Sequence, residues 1–110
     1  MQPSQHIRPK YKLILFYNIN NDNQEQYYRY VLSTFIPAIQ KMGVYMYMAW
    51  HVAYGHEEYP NRKIEFVTES AEVLQQLFTS TEWEDLEDKL LNYISDYRRK
   101  VVPYRNGFQL

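Results

Sequence analysis

The stretch Val44-Tyr45-Met46-Tyr47-Met48-Ala49-Trp50-His51-Val52-Ala53-Tyr54 constrains this chain more than any other. Read as a strand, it sends Val44, Met46, Met48, Trp50 and Val52 to one face. Tyr45, Tyr47, Ala49, His51 and Ala53 go to the other. A strand on a sheet with one wet face should alternate apolar with polar side chains, because successive side chains point to opposite sides. This strand has no ordinary solvent face. Helices can cover one side, and a partner subunit or an enclosed cleft must cover the other.

The rest of the chain supplies the helices. Lys12-Leu13-Ile14-Leu15-Phe16-Tyr17 is a nearly continuous apolar run, which suits a central strand. A turn cluster at 18–23 follows, with Asp22 as the expected N-cap of a helix. Tyr28, Val31, Leu32, Phe35, Ile39 and Met42 form that helix's apolar stripe. Pro37 should kink the helix or restart it near Ile36, and Gly43 should end it. After the opening strand and a loop through 54–62, Lys63-Ile64-Glu65-Phe66-Val67-Thr68 reads as a strand that separates Ile64 and Phe66 from Lys63 and Glu65. Ser70 caps a short helix carrying Val73, Leu74, Leu77 and Phe78. Thr81 and Glu84 have capping-box spacing for a last helix, whose stripe is Trp83, Leu86, Leu90, Ile94 and Tyr97. Its acidic start and its basic end, Arg98-Arg99-Lys100, match the helix dipole, and Val101-Val102 before Pro103 reads as a final strand.

The order β-α-β-β-α-β predicts an α+β, ferredoxin-like antiparallel sheet with helices on one face. Its first and third strands should be central and its second and fourth should be edges, where Pro103 is tolerated. Residues 1–10, polar with two prolines, are expected to be a flexible arm ahead of one domain at 11–110. A net charge of −1 supplies no field to recruit nucleic acid or membrane, so neither is an expected partner. The absence of cysteine excludes disulfides and thiolate chemistry. The start of the chain lacks the apolar run of a signal peptide, and a cytoplasmic protein is expected. The twelve tyrosines stand out, since an apolar ring with a polar tip suits interfaces and wet pockets.

Pairing the two middle strands sets the expected site. If His51 opposes Glu65, then Met48 and Trp50 share the helix-packed face with Ile64 and Phe66. The other face then holds Tyr45, Tyr47, Ala49 and His51 with Lys63, Glu65 and Val67. A one-residue slip would mix the two sets. A face that is aromatic yet dotted with His51, Glu65 and Tyr17 is too apolar to leave wet, and two copies placed sheet to sheet would enclose it.

On this element order, this doubly covered strand and the segment Phe78-Thr79-Ser80-Thr81-Glu82-Trp83-Glu84-Asp85-Leu86, the chain resembles the dimeric α+β-barrel group of the ferredoxin-like fold over residues 11–105. The resemblance implies a homodimer paired through its sheets. It also implies a cavity between sheet and helices for a small apolar or aromatic molecule. The group includes cofactor-free and haem-linked monooxygenases, isomerising enzymes and proteins without known activity, so the fold does not choose the chemistry.

The candidate catalytic pair is His51 with Glu65, because a carboxylate orients an imidazole and raises its basicity. Tyr17, Tyr45 and Tyr47 are candidate ligand-binding residues that could hydrogen-bond an oxyanion or a phenol. The plainer reading of both sets is a cross-strand pair and packing at a dimer interface. His56-Glu57-Glu58 matches no standard metal spacing and reads as a solvated turn, so no metal and no cofactor is expected. Arg98, Arg99, Lys100 and Arg105 could hold an anion, but pairing with acidic side chains is the simpler reading. An RNA-recognition sheet has the same element order, yet Arg62-Lys63-Ile64-Glu65-Phe66-Val67-Thr68 lacks its glycines and puts a carboxylate on the open face. The function expected is small-molecule binding, with cofactor-independent oxygenation or proton transfer through His51 as its enzymatic form. The alternatives are a non-catalytic homodimeric module and, less favoured, an RNA-binding sheet.

Overall fold

A computed structural model describes residues 8–51 and 61–105. Its strands are β1 (Tyr11–Ile19), β2 (Tyr45–His51), β3 (Arg62–Thr68) and β4 (Ile94–Pro103). They form one antiparallel sheet in the order β2-β3-β1-β4, so the first and third strands are central and Pro103 ends an edge strand. This is the ferredoxin-like α+β arrangement that the element order predicts. Lys10 also joins the sheet, its amide donating to the Thr68 carbonyl and its carbonyl accepting from the Tyr104 amide, 2.8 Å each. Lys10 is therefore held by the sheet, and residues 1–7 lie outside the described residues.

Alternation along β1 decides which face the helices cover. Leu13, Leu15, Tyr17 and Ile19 pack with Ile64 and Phe66 of β3 into the core. Lys12, Ile14 and Phe16 point to the open face. The helical layer starts with a short 3₁₀ turn at Asn21–Asn23, followed by α1 (Gln24–Tyr30), a π-helical segment at Val31–Phe35 and α2 (Ile36–Lys41). Asp22 lies inside the 3₁₀ turn and does not cap the helix, contrary to expectation. Pro37 restarts the helix as predicted. It has no N–H to give, and just before it the Ile36 amide reaches five residues back to the Val31 carbonyl. That π-turn rotates the apolar stripe, so Tyr27, Tyr30, Val31, Phe35, Ile36 and Ile39 are buried while Leu32 is exposed.

Gly43 ends α2 with φ of 90°, a conformation that L side chains rarely adopt, and its carbonyl accepts the Thr68 hydroxyl at 2.8 Å. An added Cβ would also meet Val73 Cγ1 at 3.1 Å. Gly43→Ala should therefore cost about 1–2 kcal/mol, read as a lower midpoint in chemical denaturation. An unchanged midpoint would mean that the turn relaxes freely.

Ser70 caps α3 (Ala71–Phe78) as expected, its hydroxyl accepting the Val73 amide at 3.2 Å. The next cap lies one residue earlier than the capping-box spacing suggests. Ser80, not Thr81, accepts the Trp83 amide at 3.0 Å and starts α4 (Thr81–Leu90). Tyr30 donates to the Leu86 carbonyl at 2.8 Å and ties the first helical stretch to α4.

The structure departs further from expectation in two places. The last helix ends at Leu90, and Ile94 to Pro103 is strand, so Arg98, Arg99 and Lys100 lie on β4 and not at a helix C-terminus. Ile94 and Tyr97 are spaced as if the stripe of α4 continued. Their burial instead comes from a strand whose pairing to β1 shifts between Phe16 and Asn18. Asp96, with φ of 54°, absorbs the extra residue. The second correction concerns β2. Tyr45 pairs with Val67 and Met46 with Phe66, but beyond an extra residue at Tyr47 the register moves. Met48 then faces Glu65, Ala49 faces Ile64, Trp50 faces Lys63 and His51 faces Arg62. A bulge reverses the facing of everything after it. Met48 and Trp50 leave the helix-packed face for the open one, and His51 makes the opposite move.

Candidate functional site

The bulge separates the expected catalytic pair. Glu65 lies on the open face, where its carboxylate pairs with Lys12 at 2.9 Å and Lys63 at 3.3 Å. His51 lies on the helix-packed face, so Glu65 cannot orient its imidazole. The tyrosines expected to bind a ligand divide as well. Tyr45 and Tyr47 stay on the open face, as expected, and Tyr17 is buried against the helices. His56, Glu57 and Glu58 lie outside the described residues.

The open face centres on a buried ion pair. Lys12 and Glu65 are 8% and 6% exposed. The rings of Tyr47 and Tyr104 lie 5.6 and 5.8 Å from the Lys12 ammonium and stack edge to face on one another. Burial alone would raise the Glu65 carboxyl, but hydrogen bonds from Lys12 and Lys63 outweigh it and hold the group below its usual range. Tyr104 is shifted up, chiefly by its hydrogen bond with Tyr47. Around this centre Tyr47, Met48 and Trp50 are exposed, which leaves an apolar rim over satisfied charges.

The helix-packed face carries a different constellation. Tyr17 of β1 pairs with Arg62 of β3, and Arg62 pairs with His51 of β2. The three residues thus form one row across three strands. Helix α1 closes over its inner end. The Tyr27 hydroxyl lies 2.5 Å from that of Tyr17, and both residues are fully buried. The rings of Tyr17 and Tyr27 meet edge to face at 5.8 Å, and Tyr28 packs on Tyr27 at 4.9 Å. The Arg62 guanidinium sits 5.7 Å from the Tyr28 ring, a cation–π contact. Burial raises both phenols above their ordinary range, against an opposing pull from Arg62. Both therefore stay protonated and neutral at neutral pH. His51, at the outer end, is exposed.

Arg62, Tyr27 and Tyr28 do not figure in the site read from sequence. A signal was available for Arg62, which shares parity with Ile64 and Phe66 on β3 and so belongs to their face. Tyr27 carried none, because the stripe that predicts Tyr28 as the buried residue is displaced by the π-turn.

Arg99 has a structural role. It pairs with Glu87 at 2.9 Å and lies 4.4 Å from the Phe78 ring and 5.6 Å from Trp83, in a cleft of about 300 Å³ where α3 meets α4. The basic cluster is thus matched to an acidic side chain at this residue, and the segment from Phe78 to Leu86 serves packing. Among the described residues no group of three or more His, Asp or Glu side chains could hold a metal, and no helix is long and apolar enough to cross a membrane.

No family model matches the chain, and no curated protein matches it. Solved structures do. A dimeric ferredoxin-like protein from an uncultured marine organism superposes with a TM-score of 0.61 at 16% identity, over 94% of each chain. A NIPSNAP family protein from Agrobacterium tumefaciens gives 0.62 at 17% identity, over 92% of this chain and 90% of its own. A candidate antibiotic biosynthesis monooxygenase from Nitrosomonas europaea gives 0.58 at 14% identity, over 89% of this chain and 99% of its own. At such identities the likeness concerns the fold, and it spans nearly the whole chain. The chain has the ferredoxin-like α+β fold of these structures.

Proposed function

We propose that this protein is a homodimer, paired through its open sheet faces, that binds a small aromatic molecule at the row of Tyr17, Arg62 and His51. The row itself carries the reading. It gathers a cation, two neutral phenols, an aromatic ring and an imidazole at one end of the helix-packed face. Small-molecule sites typically combine apolar walls with a few convergent polar groups.

In its enzymatic form the site transfers a proton. The His51 imidazole accepts it from an acidic C–H or O–H of the ligand, and the electron pair stays on the ligand as an enolate or phenolate. The Arg62 guanidinium, across the strand, stabilises that anion. Arg62 thus takes a part in the chemistry that Glu65, on the other face, cannot. Where dioxygen is the second substrate, the same anion is the electron donor, which suits cofactor-independent oxygenation and accords with a monooxygenase candidate among the structural neighbours.

The test starts from the purified protein, assayed for co-purified small molecules by native mass spectrometry and for dioxygen uptake with a panel of hydroxylated aromatics. His51→Ala should lower turnover by about 10²–10⁴ while ligand binding changes little. Full turnover in His51→Ala would remove the imidazole from the mechanism. A protein that takes up none of the panel and carries no small molecule would overturn the proposal.

A further inference from the structure

The row offers more hydrogen-bond donors than acceptors. Tyr17 and Tyr27 each carry one phenolic hydrogen. Their oxygens lie 2.5 Å apart, a contact that takes one of the two. The other hydrogen has no acceptor among the described residues. Burial raises both phenols, so neither becomes a phenolate that could serve as a countercharge. Arg62 adds further donors. Its Nε is buried without a hydrogen-bond partner, and no carboxylate pairs with its guanidinium among the described residues. Among the described residues the nearby groups are rings and phenols, whose oxygens can accept from Arg62 but supply no countercharge. A half-buried guanidinium left this way bears a desolvation cost that an anion would offset.

We infer that the row binds the anionic end of a small aromatic carboxylate. A carboxylate supplies about four acceptor positions on two oxygens, enough for both the Arg62 Nε–H and the spare phenolic hydrogen. The planar fork of the guanidinium matches a carboxylate edge to edge. The Tyr28 ring beside it, 37% exposed, suits the ligand's ring. A neutral ligand would satisfy the phenol and leave the charge unmatched. This inference rests on reading the row as a binding site, but it does not need His51 to act as a base.

Benzoate and its neutral isostere benzamide are the probes, titrated into the full-length protein by calorimetry or followed by NMR shifts. Benzoate should bind at least about tenfold tighter than benzamide, with the difference shrinking as salt is added. Arg62→Gln should abolish the preference, and Arg62→Lys should keep part of it, because the charge remains and the fork is lost. Tyr27→Phe removes one phenolic hydrogen and should weaken benzoate several-fold with little effect on benzamide. Circular dichroism identifies folded variants. If Arg62→Gln does not fold, the wild-type preference and its retention in Arg62→Lys decide. Equal binding of the two probes, no benzoate binding by the folded wild type, or a preference that survives Arg62→Gln would overturn the inference. Should benzoate fail while His51-dependent turnover of a neutral substrate persists, the binding site stands and its anion preference falls. Should both fail, the site falls with it.

Discussion

At pH 7, Glu65→Gln should lower the unfolding free energy by about 3–5 kcal/mol, the range for removing one partner of a buried ion pair. Glu65 and Lys12 are 6% and 8% exposed, and their 2.9 Å contact is supported by Lys63 at 3.3 Å. A neutral amide in place of the carboxylate would take the countercharge from the Lys12 ammonium beneath two tyrosine rings. The Lys63 side chain is 39% exposed and can turn to water, so Lys63→Ala should cost no more than about 1 kcal/mol. The double variant Lys12→Met/Glu65→Leu removes both buried charges and should recover most of the loss, since apolar replacement of a buried pair is often neutral or better. The effect has a pH signature. The Glu65 carboxyl titrates lower in the folded state than in the unfolded one. Its contribution is thus complete above the unfolded value of about 4.3 and disappears as pH falls through the lower folded value. Urea unfolding at pH 7 and at pH 3 should show the wild type and Glu65→Gln converging in acid. A difference below about 1 kcal/mol at pH 7, or one that does not change with pH, would show that the pair is solvated.

Much of the architecture was legible because on β1 and β3 alternation carries polar labels. Lys63 and Glu65 against Ile64 and Phe66 leave no doubt about facing, and Gly43 and Ser70 mark a stop and a start by chemistry that other residues supply poorly. The errors fall where such labels are missing. From Val44 to Trp50 every side chain is apolar or aromatic, so shifting the register offends nothing in the pattern and the bulge at Tyr47 leaves no trace. The end of α4 was hidden in a similar way. Ile94 and Tyr97 continue a three-and-four spacing, and a strand with a bulge at Asp96 imitates it. The candidate site inherited the first error. His51 stands out as the one imidazole of β2, but its partner depends on register, and register moved it from Glu65 to Arg62.

The bulge can be tested through assembly. Trp50→Asp should weaken the proposed homodimer by about 30- to 1,000-fold, the equivalent of the roughly 2–4 kcal/mol of an interface hot spot. Trp50 is 48% exposed and stands on the open face opposite Lys63. It borders Met48 and Tyr47, which are exposed as well, while the charges beneath are already paired. Large aromatic anchors around a satisfied centre are the composition that gives a protein interface its affinity. An aspartate there would lose its hydration without gaining a partner. The two methionines separate this arrangement from an unbroken strand. In a straight register Met46 and Met48 share a face and respond alike. With the bulge, Met48→Asp should weaken the dimer, while Met46→Asp, at a position 42% exposed but facing the helical side with Phe66, should not. Leu91→Asp, at an exposed position just after α4, controls for a general effect of added charge. Sedimentation velocity across a range of concentrations reads all four variants. If Trp50→Asp and Met48→Asp leave the dimer intact, the open face is not the contact. If Met46→Asp disrupts it as strongly as Met48→Asp, the contact extends around the β2 edge, and the helix-packed end that holds His51 and Arg62 then lies beside the partner subunit.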